Sequence, residues 1–198
     1  MTVGGYQNQV FYNGLGDAVR TVAMDALSRS KTAKYGLWQW IGEKRGREIV
    51  KANVALIRTI DEKRLPKIVT LVVKALKGEI TRDKLVSEIE RVGEVEGDRA
   101  EIIANDQIAK ATTVFKMEQW KAVGWKRVQW KHSPRIPEPR EYHRRKWDGK
   151  SGLKDGHPNG LNGFVFDMNH PPVIDEKTGE RGFPAQLINC HCFLVPYD

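Results

Sequence analysis

Apolar residues recur at three- and four-residue intervals along the chain as far as Trp120 and lose that rhythm beyond Gly124. Such spacing marks helices with one buried face. The first thirteen residues show no pattern and read as an arm, after which Leu15, Val19, Val22, Ala23, Ala26 and Leu27 share a stripe. The aromatic run from Tyr35 to Gly42 breaks that regularity; its rings suit a core, with an interface anchor as the alternative. Ile49, Val50, Asn53, Val54, Ile57 and Ile60 predict a further buried face. Pro66 fits a first helical turn, Ile68, Val69, Val72 and Leu76 form the next stripe, and Gly78 suits the position just past its end. Thr81 is placed to cap a short helix bearing Leu85, Val86, Ile89 and Val92, with Gly93 and Gly97 loosening the chain after it. Asp98 and Glu101 have capping-box spacing for a long helix to about Trp120. Its stripe holds Ala100, Ile103, Ala104, Ala111, Val114 and Phe115. Gln107 falls on the same stripe, which predicts a buried, hydrogen-bonded amide.

Past Gly124, glycine and proline punctuate the chain, and β-like runs remain only at Lys126–Trp130, Phe164–Phe166 and Phe193–Val195. The expected class is α+β, a helical front packed with a loop-rich module of short strands. Three regions follow: 1–45 as arm and helix, 46–122 as a helical region, and 123–198 as the C-terminal module.

Composition narrows the classes. Hydrophobic residues make up 40% and charged residues 29% of 198, as in ordinary globular proteins. The start lacks the basic and apolar segments of a signal peptide, and runs such as Ile68–Val73 are too short to span a bilayer, so a cytoplasm is the expected site of synthesis. Cys190 and Cys192 are the only cysteines, too close in sequence to favour a mutual disulfide.

Charge is uneven. Lys116 to Lys150 holds eleven basic and four acidic residues, a net of +7, against +4 before it and −3 after it. A concentrated positive field suits a polyanion, and a solvated basic face with no partner suits the same numbers. Lys126, Arg127, Lys131, Arg135, Arg140, Arg144, Arg145 and Lys146 are the candidate contacts to nucleic acid or a protein partner. Tyr142 and Trp147 interleave with these cations, as in phosphate-tracking, base-stacking surfaces.

His143, Cys190 and Cys192 are residue types that bind zinc, with His132, His157, His170 or His191 as a candidate fourth ligand. A structural ion would serve a module that has no disulfides. The residues alone favour a plainer reading: Cys-x-Cys on a strand places two small apolar side chains on one buried face, and no second cysteine pair accompanies it. Asp148-Gly149 reads as a turn. A metal-dependent nuclease using His143, Asp148 and His170 is the enzymatic alternative, but no recognised arrangement of acid, base and metal groups is visible. A free DNA-binding regulator is a third reading, and it requires sequence preference.

The order of motifs is more specific than any one of them. Asn53, Leu56, Ile57, Gly78 and then Arg99, Ala100, Ile103, Ala104, Asp106 and Gln107 are followed by Trp130, Arg135, Arg140, His143 and Asp148-Gly149. Pro171-Pro172, Asn189-Cys190-His191-Cys192 and Val195-Pro196 complete the series. Over residues 50 to 198 this series resembles the bacteriophage Mu F-like family of minor head proteins. His191 stands where that family usually carries Arg. The resemblance implies a non-enzymatic virion component of the head, near the portal vertex. Its partners would be portal protein, major capsid or scaffolding protein and double-stranded DNA, with no membrane. It would assemble in the host cytoplasm and assist head morphogenesis, packaging or ejection.

Overall fold

The computed structural model describes residues 33–133 and 140–197. The stripe expected over Leu15–Leu27 and the candidate contact Arg135 lie outside them. The described chain is α+β and divides after Val123 into two compact units.

The first unit is helical: α1 (Ala33–Ile41), α2 (Glu43–Val54), α3 (Leu65–Leu76), α4 (Arg82–Gly93) and α5 (Gly97–Ala122). The aromatic run expected to break the helical pattern forms α1. Leu37 and Trp38 enter the core, and Trp40 is partly buried. Gly46 on α2 lets the indole of Trp38 approach, since a Cβ there would lie 2.8 Å from the ring. Trp38 meets Phe115 of α5 edge-on at 5.9 Å, while Lys77 lies 5.7 Å over the Trp38 ring.

The stripe over Ile49–Ile60 is not one helix. α2 ends at Val54, and the amides of Leu56 and Ile57 donate instead to the carbonyls of Asn53 and Val54. Asp61 accepts from the Lys63 amide and starts a 3₁₀ turn at Glu62–Arg64, a local bond that competes with helix continuation. Ile60 still reaches the core because Gly93 of α4 makes room for it. Helical spacing there reflects shared burial, not a shared helix.

Other termini follow the residues that mark them. Pro66 lies in the first turn of α3. Beyond α3, Gly78 takes φ +77°, and the amides of Gly78 and Glu79 donate to the carbonyls of Ala75 and Lys74, closing a Schellman motif. Thr81 Oγ1 accepts from the Lys84 amide at 3.2 Å. Gly93 does not loosen the chain; it is the buried last residue of α4, and the left-handed turn falls on Glu94, whose carboxylate is 2.6 Å from Arg64.

The expected capping box on α5 is absent. Glu96 is the cap residue and makes no side-chain cap bond, while Glu101 is drawn to Arg82 of α4. At 26 residues, α5 is the spine of this unit, and at 1.5 Å per residue it runs about 39 Å. Gln107 is buried as its stripe predicts, but its Oε1 lacks a hydrogen-bond partner among the described residues, as does Asn53 Nδ2.

The second unit is built on a three-stranded antiparallel sheet of order β2-β1-β3: β1 (Arg127–Lys131), β2 (Val165–Asp167) and β3 (Phe193–Tyr197). In register, Val128 faces Phe166 and Pro196, and Trp130 faces Leu194. Val128, Trp130, Phe166 and Leu194 are buried together on the inner face. One short helix, α6 (Glu141–Arg144), carries Tyr142 and His143 into this core. Long loops close around it through glycine. Gly152, at φ +76°, packs so tightly on Pro158 that a Cβ would overlap backbone.

Candidate metal centre and cationic face

His143, Cys190 and Cys192 converge, with ligand atoms within 4.8 Å of one another and all three side chains buried. Two segments bring them together: α6 supplies His143, and the turn into β3 supplies the cysteines. His143 Nε2 lies 2.8 Å from the Ile174 carbonyl, a distance that requires it to donate there. In the neutral ring Nδ1 is then a lone pair, and it points at Cys190 Sγ at 3.5 Å and Cys192 Sγ at 3.8 Å. Fixing one ring nitrogen on a backbone carbonyl frees the other to ligate.

Of the four histidines considered as a further ligand, the structure brings in His132. Its Nδ1 is 3.9 Å from Cys192 Sγ, and its amide donates to Asn162 Oδ1, which holds the residue just past β1. His157 is exposed against the Tyr142 ring, His170 stands in solvent beside Asp167, and His191 pairs with Asn189.

The thiols share a proton unequally. The bond from Cys192 holds Cys190 down to about 4 against the cost of burial, and contacts with His143 and the Ala185 amide add to it. That same bond, with burial and the Cys190 charge, pushes Cys192 up. Trp130 Nε1 is buried without a partner that meets hydrogen-bond geometry, yet it sits beside Cys192 and, with the Ser133 amide, favours a thiolate there. Burial lowers the pKa of His132, followed by the charge of Arg144, so its imidazole favours the neutral form. One thiol held toward its anion, a second thiol bonded to it and the neutral His132 imidazole nearby are suited to a thiophilic cation.

Asp148 is committed to its turn. Its Oδ1 accepts from the amides of Lys150 and Ser151 at 2.8 and 2.9 Å, and those bonds lower its pKa. Among the described residues, Asp148 and His170 do not join His143 in a cluster of metal-ligand type.

The cations divide into two sets. Arg145 is paired to Glu141 and Glu176. Lys126, Arg127, Lys131, Arg140, Arg144 and Lys146 have no carboxylate within ion-pair distance among the described residues, though Arg140 donates to the Ile188 carbonyl. Arg127 and Lys131 lie on the outer face of β1, opposite Val128 and Trp130. Register places Tyr197 beside Arg127 and Phe193 beside Lys131. Those rings are 40% and 45% exposed, and the Arg127 guanidinium lies 5.6 Å over Tyr197. Sequence reasoning missed Phe193 and Tyr197 as part of this face, although strand alternation could have found them.

No family model, curated protein or solved structure matches the chain. Among the described residues, no helix is long and apolar enough to cross a membrane.

Proposed function

We propose that this chain is a structural component of the head of a tailed double-stranded DNA bacteriophage, placed near the portal vertex and the head interior. Portal protein, major capsid or scaffolding protein and packaged DNA are its partners in this reading. The observation that carries it is the outer sheet face, where cations with no ion-pair partner among the described residues alternate with exposed rings. Such a surface meets phosphate without reading sequence and stacks on flat apolar groups. The resemblance to Mu F-like minor head proteins supplies the assembly context.

Zinc is the cofactor this reading favours, held by His143, Cys190 and Cys192. Bound there, it would tie α6 to the turn before β3 and stabilise a unit that has little regular structure. A role in packing rather than turnover is supported by the spent Asp148 carboxylate and by His170 lying in solvent. The nuclease alternative would need both beside His143.

Co-purification tests the proposal. Tagged chain expressed with its cognate portal protein retains it through size exclusion, and Arg127→Glu/Lys131→Glu weakens DNA retention in the same preparation. A chain that binds neither portal nor DNA is not this component.

A further inference from the structure

We infer that His132 completes the metal centre, making it a closed four-ligand Cys2His2 zinc site with no open coordination position. This deepens the three-ligand reading proposed above and rests on it. The argument begins with geometry. In a tetrahedral site with Zn–S of about 2.3 Å and Zn–N of about 2.0–2.1 Å, sulfur and nitrogen stand roughly 3.5 Å apart. Of the four sulfur–nitrogen pairs in such a site, three stand at 3.5 Å for Cys190–His143, 3.8 Å for Cys192–His143 and 3.9 Å for Cys192–His132. The first already has the required length, and the other two need a contraction of a few tenths of an ångström. His132, which lies outside the 4.8 Å cluster of the other three, must swing further in to complete the tetrahedron.

The surroundings are those of a ligand set rather than of two idle thiols. Both imidazoles present Nδ1 to sulfur. The His143 ring is fixed from behind by the Ile174 carbonyl, and the His132 backbone is fixed by Asn162. The buried indole N–H of Trp130, without a partner of hydrogen-bond geometry, is beside Cys192, where a metal-bound thiolate would accept it. Two small hydrophobes packed in a core would call for none of these polar neighbours.

A fourth protein ligand changes what the ion does. Three ligands and a water make a site that can activate that water; four protein ligands make a structural one. The fourth also brings in a new segment. His132 follows β1 directly, so the ion would join the end of the central strand to α6 and to the turn before β3. Lys131 and Arg144, two of the unpaired cations, neighbour ligands in sequence. The metal would therefore fix part of the cationic set as well as the core.

X-ray absorption on the zinc-loaded full chain tests this, with cobalt(II) titration of the wild type, His132→Ala and His157→Ala. The expected result is one ion per chain with two sulfur and two nitrogen neighbours. Loss of His132 should weaken affinity at least ~100-fold, the upper end of what even outer partners of metal ligands contribute. His157→Ala should bind as the wild type does. A spectrum with two sulfurs, one nitrogen and a water-type oxygen overturns the four-ligand inference and leaves the three-ligand centre standing. A wild-type chain that takes up no zinc or cobalt removes both. The wild-type spectrum decides the matter even if His132→Ala does not fold.

Discussion

Replacing Arg144 and Lys146 together with alanine probes the cationic set at two side chains that have no ion-pair partner among the described residues. Six such cations among the described residues, Lys126, Arg127, Lys131, Arg140, Arg144 and Lys146, give six phosphate contacts when all of them meet the backbone. Each contact contributes about −0.9 to the slope of log affinity against log salt, so the full set gives a slope of about −5.4. Between about 50 and about 200 mM salt that slope costs roughly three decades of affinity. The double variant should have a slope of about −3.6 and lose about two decades over the same range. Fluorescence anisotropy with two unrelated duplexes of equal length measures this directly, and the two sequences should bind alike. A wild-type slope shallower than about −2 would mean that these cations do not meet the backbone as a set. An unchanged slope in the double variant would remove Arg144 and Lys146 from the contact. A strong preference for one duplex would favour a sequence-reading regulator.

Leu85→Ala should cost about 2–5 kcal/mol, because that side chain is fully enclosed between helices, whereas Leu56→Ala, at 57% exposure, should change stability little; urea unfolding followed by circular dichroism compares them. Gly152→Ala should destabilise the second unit by about 1–3 kcal/mol, since it forces a side chain into a left-handed turn against Pro158, and thermal unfolding that matches the wild type would show that this loop does not limit stability. Glu88 is held down to about 2 by Lys84 first and then Arg91, so its contribution is present above its unfolded value near 4.5 and lost as pH falls from there toward 2. The stability gap between wild type and Glu88→Gln should therefore close over that window, and a gap that widens toward acid would contradict the assignment.

Much of the fold is legible because its markers act locally. Gly78 and Thr81 end and begin helices through bonds to their own neighbours, Pro66 suits a first turn through its fixed φ and missing N–H, and the three strands fall where alternating apolar residues meet glycine and proline. Errors arise where tertiary contact overrides local pattern. Ile57 and Ile60 continue the spacing of α2 but belong to the chain beyond it, because the Asp61 turn and the space above Gly93 redirect the backbone. Glu101 has capping-box spacing but is claimed by Arg82, 19 residues away. At the candidate site, residue type identified His143, Cys190 and Cys192, but it could not choose among four histidines. That choice depends on how the end of β1 meets the turn before β3, a long-range pairing that no local spacing encodes. The Ile174 carbonyl and the Trp130 indole were equally hidden, since any carbonyl or tryptophan could have taken those places.

The central claim, that this chain is built into a phage head, is tested most directly on purified particles. Mass spectrometry combined with averaged imaging should find the chain at low copy number, with its density at the unique portal vertex on the inner side of the shell. Particles that are complete and infectious without it, or a chain found only in the soluble fraction of infected cells, would contradict the account.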